Sequence, residues 1–161
     1  ASIWSSITEI ARRQRATERG NAAMKFGVRY CNTGRYTDPA LAVELVQAAE
    51  EAGFESAWTV EHTVIPKGYQ SAYPYTSDGR LPGGEGNFLL PDPQIWMAYV
   101  AARTSRINLA TGILILPQHN PVICAKQVAT LDVLSRGRVD LGIGSGWQRE
   151  ELGKARSVLR A

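Results

Sequence analysis

The stretch Val139-Asp140-Leu141-Gly142-Ile143-Gly144-Ser145-Gly146-Trp147 joins an apolar strand pattern to a glycine-rich turn. Gln148-Arg149-Glu150-Glu151 follows and is typical of a helix beginning. At such a junction in an α/β fold, the free N–H groups and partial positive charge of the helix N-terminus can hold a ligand. The stretch therefore predicts an α/β fold with a ligand site where a strand ends and a helix begins.

The strand-to-helix order occurs four times along the chain. Strands are predicted over 25–31, 54–60, 106–116 and 138–143, and three helices are predicted to begin at Asp38-Pro39, Asp92-Pro93 and Asn120-Pro121. Each of these pairs places an N-cap acceptor before a proline at the first helical position. Regular alternation predicts a parallel sheet, either doubly wound or part of a (β/α)8 barrel. Since a complete barrel needs about 250 residues, four units correspond to half a barrel.

Composition favours a globular protein that binds neither nucleic acid nor membrane. No apolar run, including Ile113 to Pro117, is long enough to span a bilayer. The net charge is +3, and residues 1–23 contribute most of it, so little charge remains to attract nucleic acid. Cys31 and Cys124 form no disulfide framework or CxxC motif. We expect two buried free thiols, which favours a reducing, cytoplasmic compartment.

Three segments differ from the regular units. Residues 1–23 form an arginine-containing amphipathic leader, which we expect to lie upstream of a natural start at Met24. Residues 63–91 contain five glycines, four prolines and three tyrosines, which predicts an irregular loop that covers a site. Residues 152–161 are basic and are predicted to be an atypical C-terminal end. The central domain is therefore predicted to span 24–151.

Several residues are candidates for chemistry, each with a structural alternative. His62 ends the second strand, where an imidazole can act as an acid or base or can be a packed structural residue. Gly112 lies inside a strand, which indicates either a bulge or close approach of a ligand. The glycines of the 142–146 turn do not form a dinucleotide fingerprint. They serve either a tight structural turn or a close approach to a flat cofactor ring. His119 is expected to pack a loop, and the two histidines predict no metal site.

Collinear motifs along the chain resemble the bacterial luciferase-like monooxygenase superfamily, and most of all its branch of probable coenzyme F420-dependent oxidoreductases. These motifs are MKFGV at 24–28, WTVEH at 58–62, YPY at 73–75, DGR at 78–80, LPQHNP at 116–121, AKQVATLDVLS at 125–135, GR at 137–138, GIGSGW at 142–147 and REE at 149–151. The resemblance covers residues 24–151.

The resemblance implies the N-terminal half of a (β/α)8 TIM barrel whose carboxyl-end face binds coenzyme F420 or, as the alternative, FMN. It implies a non-proline cis peptide in the third strand, at Gly112 and Ile113, behind the cofactor ring. His62 matches a catalytic position near that ring. Gly144 and Gly146 match a turn that approaches the cofactor, and Glu150 matches a position that can reach the site. The implied reaction is hydride transfer with, or monooxygenation of, a small organic substrate.

The sequence also departs from the family after Glu151, where an acidic, aromatic region is expected and a basic segment stands. A half barrel has open strand edges, so we expect a homo-oligomer. The alternative function is a truncated, non-catalytic half-barrel that self-associates. A minor third interpretation is a nucleotide-binding α/β module with an open sheet.

Overall fold

The computed structural model describes residues 24–83 and 88–158, with residues 155–158 described by their backbone alone. The predicted leader, residues 1–23, lies outside the described residues. The helices are α1 (Pro39–Ala52), α2 (Pro93–Ala101), α3 (Pro121–Ser135) and α4 (Arg149–Val158). The strands are β1 (Gly27–Val28), β2 (Ser56–Thr59), β3 (Asn108–Thr111), β4 (Leu114–Ile115), β5 (Val139–Asp140) and β6 (Ile143–Gly144). Two 3-10 turns cover Gly34–Thr37 and Leu116–Gln118.

All described strand pairs are parallel, as the four βα units predicted. The main sheet has the order β1-β2-β3-β5, and β4 pairs with β6 beside it. Ala57 lies opposite Leu109, and Leu109 lies opposite Val139. Ala57, Leu109 and Val139 mark one face of the sheet, which packs against α1 and α2. Val46, Met97 and Val100 from these helices complete the core. The opposite face of the sheet carries Trp58, whose indole donates to the Ser56 hydroxyl at 2.8 Å.

The helix starts lie where the Asp-Pro and Asn-Pro pairs predicted them. The Asp38 carboxylate accepts from the N–H groups of Ala40 and Leu41, at 2.9 and 3.0 Å. Asp92 and Asn120 cap α2 and α3 in the same way. Gly53 ends α1 in the left-handed conformation, with φ of 85°, as a C-cap glycine should. Local capping chemistry therefore fixes where these helices begin and where α1 ends.

The prediction of continuous strands over 106–116 and 138–143 was wrong, because each run forms two short strands. The first run is interrupted at a cis peptide between Gly112 and Ile113, the position that the resemblance implied. There the Gly112 N–H donates to the Thr59 carbonyl at 2.7 Å. The second run is interrupted at Leu141 and Gly142, and the Gly142 carbonyl accepts from Leu114 N–H at 2.8 Å. The apolar pattern is unbroken across both interruptions, so it could not reveal them.

The predicted first strand, 25–31, is reduced to Gly27–Val28. Tyr30 adopts a positive φ of 60°, which ends the extended conformation. Beyond it, the buried Asn32 side chain donates to the Val60 carbonyl at 2.8 Å and accepts from the Val60 N–H at 2.9 Å. The chain therefore leaves β1 early to tie its following loop to the end of β2.

Both cysteines are buried free thiols, as predicted. Burial raises the pKa of the Cys31 thiol to about 12, so this side chain is neutral at physiological pH. Within residues 24–83 and 88–158, no helix is both long enough and apolar enough to cross a bilayer.

The three glycines of the 142–146 turn pack directly against β3 and β4. A Cβ atom on Gly142 would overlap the carbonyl oxygen of Thr111. A Cβ atom on Gly144 would lie 2.6 Å from Cδ1 of Ile113, and Gly146 has a positive φ of 76°. Close packing of the backbone therefore gives this turn a structural reason for its glycines, whatever else it does.

Polar side chains hold together the opposite, amino-terminal end of the sheet. The Glu50 carboxylate accepts from the N–H groups of Ser105, Arg106 and Ile107, the last at 2.9 Å. The Arg138 guanidinium donates to the carbonyls of Ala101 and Ile107 at 3.0 and 2.8 Å. These bonds fix the connection between α2 and β3.

We expect Gly142→Ala to lower the free energy of unfolding by about 1–3 kcal/mol or more. The new methyl group meets the Thr111 backbone carbonyl, which cannot rotate away. The matched control is Gly153→Ala in α4, where an added Cβ meets nothing within 4 Å. Alanine there should stabilise by up to about 1 kcal/mol. Urea unfolding midpoints measure both changes, and a wild-type midpoint for Gly142→Ala would contradict the packing.

We expect Glu50 to stabilise the fold above about pH 4.5 and to lose that effect as the pH falls. Burial alone would raise its pKa, but the three N–H groups and the Ser105 hydroxyl outweigh burial and lower the pKa from 4.5 to about 2. A lowered folded-state pKa means that the ionised form stabilises and that acid removes the gain. The stability lost in Glu50→Gln, measured by urea unfolding, should therefore shrink between pH 4.5 and 2. The exposed Glu44, changed to glutamine, is the control, and a pH-independent loss in Glu50→Gln would contradict the assignment.

Candidate active site

The polar groups of the candidate site lie at the carboxyl ends of β2, β4 and β6. Glu61 and His62 follow β2, the second 3-10 turn and His119 follow β4, and Trp147 to Glu151 follow β6. This is the end of a parallel βα sheet at which ligands bind. The long loop that begins at Thr63 also starts from this end.

His62 pairs with a buried glutamate. Its Nδ1 lies 2.7 Å from Oε2 of Glu151, and the Glu151 side chain is 1% exposed. The second carboxylate oxygen accepts from the N–H groups of Thr63 at 2.6 Å and Val64 at 3.3 Å. Glu151 stands in the first turn of α4, where the helix dipole favours a negative charge. One carboxylate therefore fixes the imidazole and the first residues of the long loop.

Glu61 forms a second imidazole–carboxylate pair. Its Oε1 lies 2.9 Å from Nε2 of His119, and its Oε2 accepts from the N–H of Ile115. Burial raises the pKa of Glu61, although the Ile115 N–H and His119 act in the opposite direction. His119 was expected to pack a loop, and its contact with Glu61 ties the second 3-10 turn to the end of β2.

Glu150 holds the same loop further along. Its carboxylate accepts from the Gln70 N–H at 2.8 Å and from the Ser71 hydroxyl at 2.7 Å. The Gln70 N–H, followed by the Ser71 hydroxyl, lowers the pKa of Glu150 to about 2, so it is ionised at physiological pH. Glu150 and Glu151, neighbours in sequence, thus anchor two separate points of the loop to α4.

Trp147 is the centre of an aromatic cluster between the loop and the site. Its ring makes edge contacts with His62, Tyr69 and Tyr73, with centroid distances of 5.7, 5.6 and 5.2 Å. Such edge-to-face pairs stabilise by about 0.5–1.5 kcal/mol beyond the area they bury. The prediction of an irregular loop over 63–91 holds for its described residues, which contain no helix or strand.

Two cavities open beside these groups. One has a volume of about 230 Å³ and is lined by His62, Thr63, Val64, Ile65, Phe88 and Leu90. The other, about 410 Å³, is lined by Gln70, Ser71, Ala72, Trp147, Arg149 and Glu150. The first places the His62 imidazole in one wall together with Thr63 and four apolar side chains.

Two buried amides near this end of the sheet lack a hydrogen-bond partner. They belong to Gln118 in the second 3-10 turn and to Gln148, which is 1% exposed and directly precedes α4. In both side chains the amide nitrogen and oxygen are unpaired. Buried polar groups normally find partners, so these amides offer donors and acceptors to a bound molecule or to water.

Apart from Glu150, which anchors the loop, the predicted site residues fall into two groups. His62 lies in a cavity wall and in an acid–base pair, whereas Gly112, Ile113, Gly144 and Gly146 lie where β3, β4 and β6 pack together. The prediction missed Glu151, Gln118 and Gln148 and gave Glu61 no role. Acidic residues in a first helical turn were visible in the sequence, but nothing there showed which distant groups they meet.

The histidines each face a different glutamate. Among residues 24–83 and 88–158, no three histidine, cysteine or acidic side chains gather in a way that could hold a metal ion. The arrangement offers proton transfer through the His62 imidazole, which lies in a cavity wall and against the Trp147 ring.

Comparison with known proteins connects this geometry to a family. The sequence profile described as luciferase-like monooxygenase matches residues 16–157, which extends past both ends of the predicted 24–151 domain. The uncharacterized protein Rv0953c of Mycobacterium tuberculosis is 40% identical over 144 residues, covering 85% of this chain and 50% of that protein. An F420-dependent glucose-6-phosphate dehydrogenase of Amycolatopsis mediterranei is 35% identical over 68% of this chain and 28% of its own length.

A solved structure has the same fold. It is the oxygenating constituent of 3,6-diketocamphane monooxygenase from Pseudomonas putida, in complex with FMN. The TM-score is 0.62 at 20% identity, over 83% of this chain and 32% of the other. The architecture is thus a partial (β/α)8 barrel, and the chain spans about half the length of the first curated relatives it matches. From the profile match and these relatives, the chain belongs to the luciferase-like monooxygenase family.

Proposed function

We propose that this chain belongs to an oxidoreductase that uses coenzyme F420, with FMN as the alternative cofactor, and acts on a small organic substrate. The observation that carries the proposal is the His62 imidazole, fixed by buried Glu151 in a cavity wall at the carboxyl ends of the strands. Membership of a family with F420- and flavin-dependent relatives supports it.

The residues present fit a flat, polar-edged ring. The unpaired amides of Gln118 and Gln148 carry donors and acceptors of the kind that a deazaflavin or flavin edge requires, although neither side chain lines the two cavities described above. Trp147 supplies an aromatic face beside His62. When bound, the cofactor would accept or deliver the hydride, while the protein orients it and excludes water.

The backbone between β3 and β6 has a second proposed role. Gly112, Ile113, Gly144 and Gly146 would form the wall behind the ring, since the backbone there packs too closely for a Cβ atom on Gly144 or Gly146. Glu150 is part of the proposed site in a different way, because it holds the loop and is not proposed to contact the ring directly. Its carboxylate is already bonded to Gln70 and Ser71, so it acts by fixing the loop.

His62 is the proposed catalytic residue. An imidazole is suited to hold or move one proton near neutral pH. With Nδ1 engaged by Glu151, Nε2 is the ring nitrogen left to take a proton from a substrate hydroxyl or return one to a carbonyl. Thr63, Val64, Ile65, Phe88 and Leu90 line the rest of the cavity, whose walls suit a small substrate that carries both polar and apolar groups.

The alternative function, a non-catalytic half-barrel that self-associates, is favoured by one observation. Leu141 and Ile143 lie 43% and 54% exposed at the interrupted strand, and β1 and β5 each end the main sheet with an unpaired edge among the described residues. Exposed edges and apolar side chains promote pairing with another chain.

We expect saturable binding of F420 to the purified chain, followed by fluorescence, with weaker binding of FMN. Trp147→Leu should weaken F420 binding about tenfold, since about 1.4 kcal/mol of aromatic contact is lost. Tyr75→Leu is the control, because Tyr75 is 80% exposed and contacts Tyr73 at the outside of the cluster.

Light scattering on the same samples separates the alternatives. Binding of neither cofactor by a self-associated chain would contradict the proposal and support the non-catalytic half-barrel. Tighter binding of FMN than of F420 would overturn the choice of cofactor.

A further inference from the structure

We propose that Glu151 is a positioning residue that fixes His62 with its proton on Nδ1 and leaves Nε2 for the chemistry. The catalytic part of this inference rests on the proposed function, but the proton assignment does not. Glu151 makes the 2.7 Å contact to Nδ1 from a position 89 residues further along the chain.

The partners of the other oxygen decide which group carries the proton. Oε1 of Glu151 faces two backbone N–H groups, Thr63 and Val64, and backbone N–H can only donate. Donors of this kind favour the ionised carboxylate, as does the N-terminal end of α4. Because an ionised carboxylate only accepts hydrogen bonds, the Nδ1 atom facing Oε2 must carry a proton.

The ring is also restrained against rotation. Trp147 meets the imidazole edge to face, with 82° between the ring planes. A ring flip would replace Nδ1 beside the carboxylate with carbon and leave a buried charge without its third partner, which is costly. Since Trp147, Glu150 and Glu151 all follow the same glycine turn, one segment positions both the imidazole and its aromatic wall.

The second imidazole pair supplies an internal reference. In this pair it is Nε2 of His119, not Nδ1, that faces the carboxylate of Glu61. Among the described residues, Glu61 makes no hydrogen bond to His62. These are the two histidines of the chain. Nitrogen chemical shifts can therefore report both tautomers in one spectrum.

The test is a long-range proton–nitrogen correlation spectrum of the purified, nitrogen-15-labelled chain, without cofactor, at a pH above the ordinary histidine pKa of about 6.5. His62→Asn assigns the signals. In the wild-type chain, Nδ1 of His62 should be protonated and Nε2 unprotonated.

Glu151→Gln provides the sharper readout, because glutamine keeps the shape but brings its own donor. Its oxygen can accept from Thr63 and Val64, so its NH2 group would donate to Nδ1 of His62. The proton of His62 should then move to Nε2, exchanging the two nitrogen shifts, while the His119 signals stay in place. Glu150→Gln is the matched control, since Glu150 bonds Gln70 and Ser71, and should leave His62 unchanged.

An Nε2-protonated His62 in the wild-type chain, or an unchanged tautomer in a folded Glu151→Gln variant, would overturn the inference. If that variant does not fold, the wild-type spectrum alone decides. The experiment contains no cofactor, so a failed F420 and FMN titration would refute the proposed function without touching this result. If Glu151 only stabilised the fold, the Glu151→Gln change would leave the proton of His62 on Nδ1.

Discussion

The carboxylate of Glu151 is the contact on which the candidate site depends. It is buried, and it accepts from one imidazole and two backbone N–H groups. Those donors belong to the end of β2 and the start of the long loop, whereas Glu151 belongs to α4. Removing the carboxylate would leave buried donors unpaired, which costs about 1–3 kcal/mol for each group. The site is therefore assembled by a charge placed between elements that are distant in sequence.

The glycine turn determines where that charge stands. Gly142 and Gly144 let β6 and its turn approach β3 and β4 more closely than any side chain would permit. The turn then delivers Trp147 and both glutamates to the carboxyl end of the sheet. At the amino-terminal end, Glu50 and Arg138 hold the connections between elements. Stability and the proposed chemistry thus draw on opposite ends of the same sheet, as is usual for βα barrels.

Local signals in the sequence predicted much of the fold. Asp38, Asp92 and Asn120 each precede a proline, and a cap of this kind needs only its own neighbours to form. The strand interruptions at Gly112 and Gly142 could not be predicted from hydrophobicity, because they arise from hydrogen bonds to another strand. The cis peptide was anticipated from the family resemblance, which carries information that periodicity lacks.

The site was predicted less completely, for the same physical reason. His62 could be recognised because its imidazole can act as an acid or base and because it lies at the end of a strand, where such sites are built. Its partner could not be chosen from the sequence, since 89 residues separate His62 from Glu151. Gln118 lies inside the LPQHNP motif and Gln148 stands between two motifs, but neither motif assigns them a role, and only burial without a partner draws attention to them.

Hydrogen exchange of the loop amides tests the central claim, that the two glutamates of α4 hold the loop on the site. The amides of Thr63, Val64, Gln70 and Ser71 face these carboxylates. If the account is right, they exchange far more slowly than in an unfolded chain, approaching the protection of the β2 amides. Exchange of these four amides at the rate of an unfolded chain, while β2 stays protected, would contradict it.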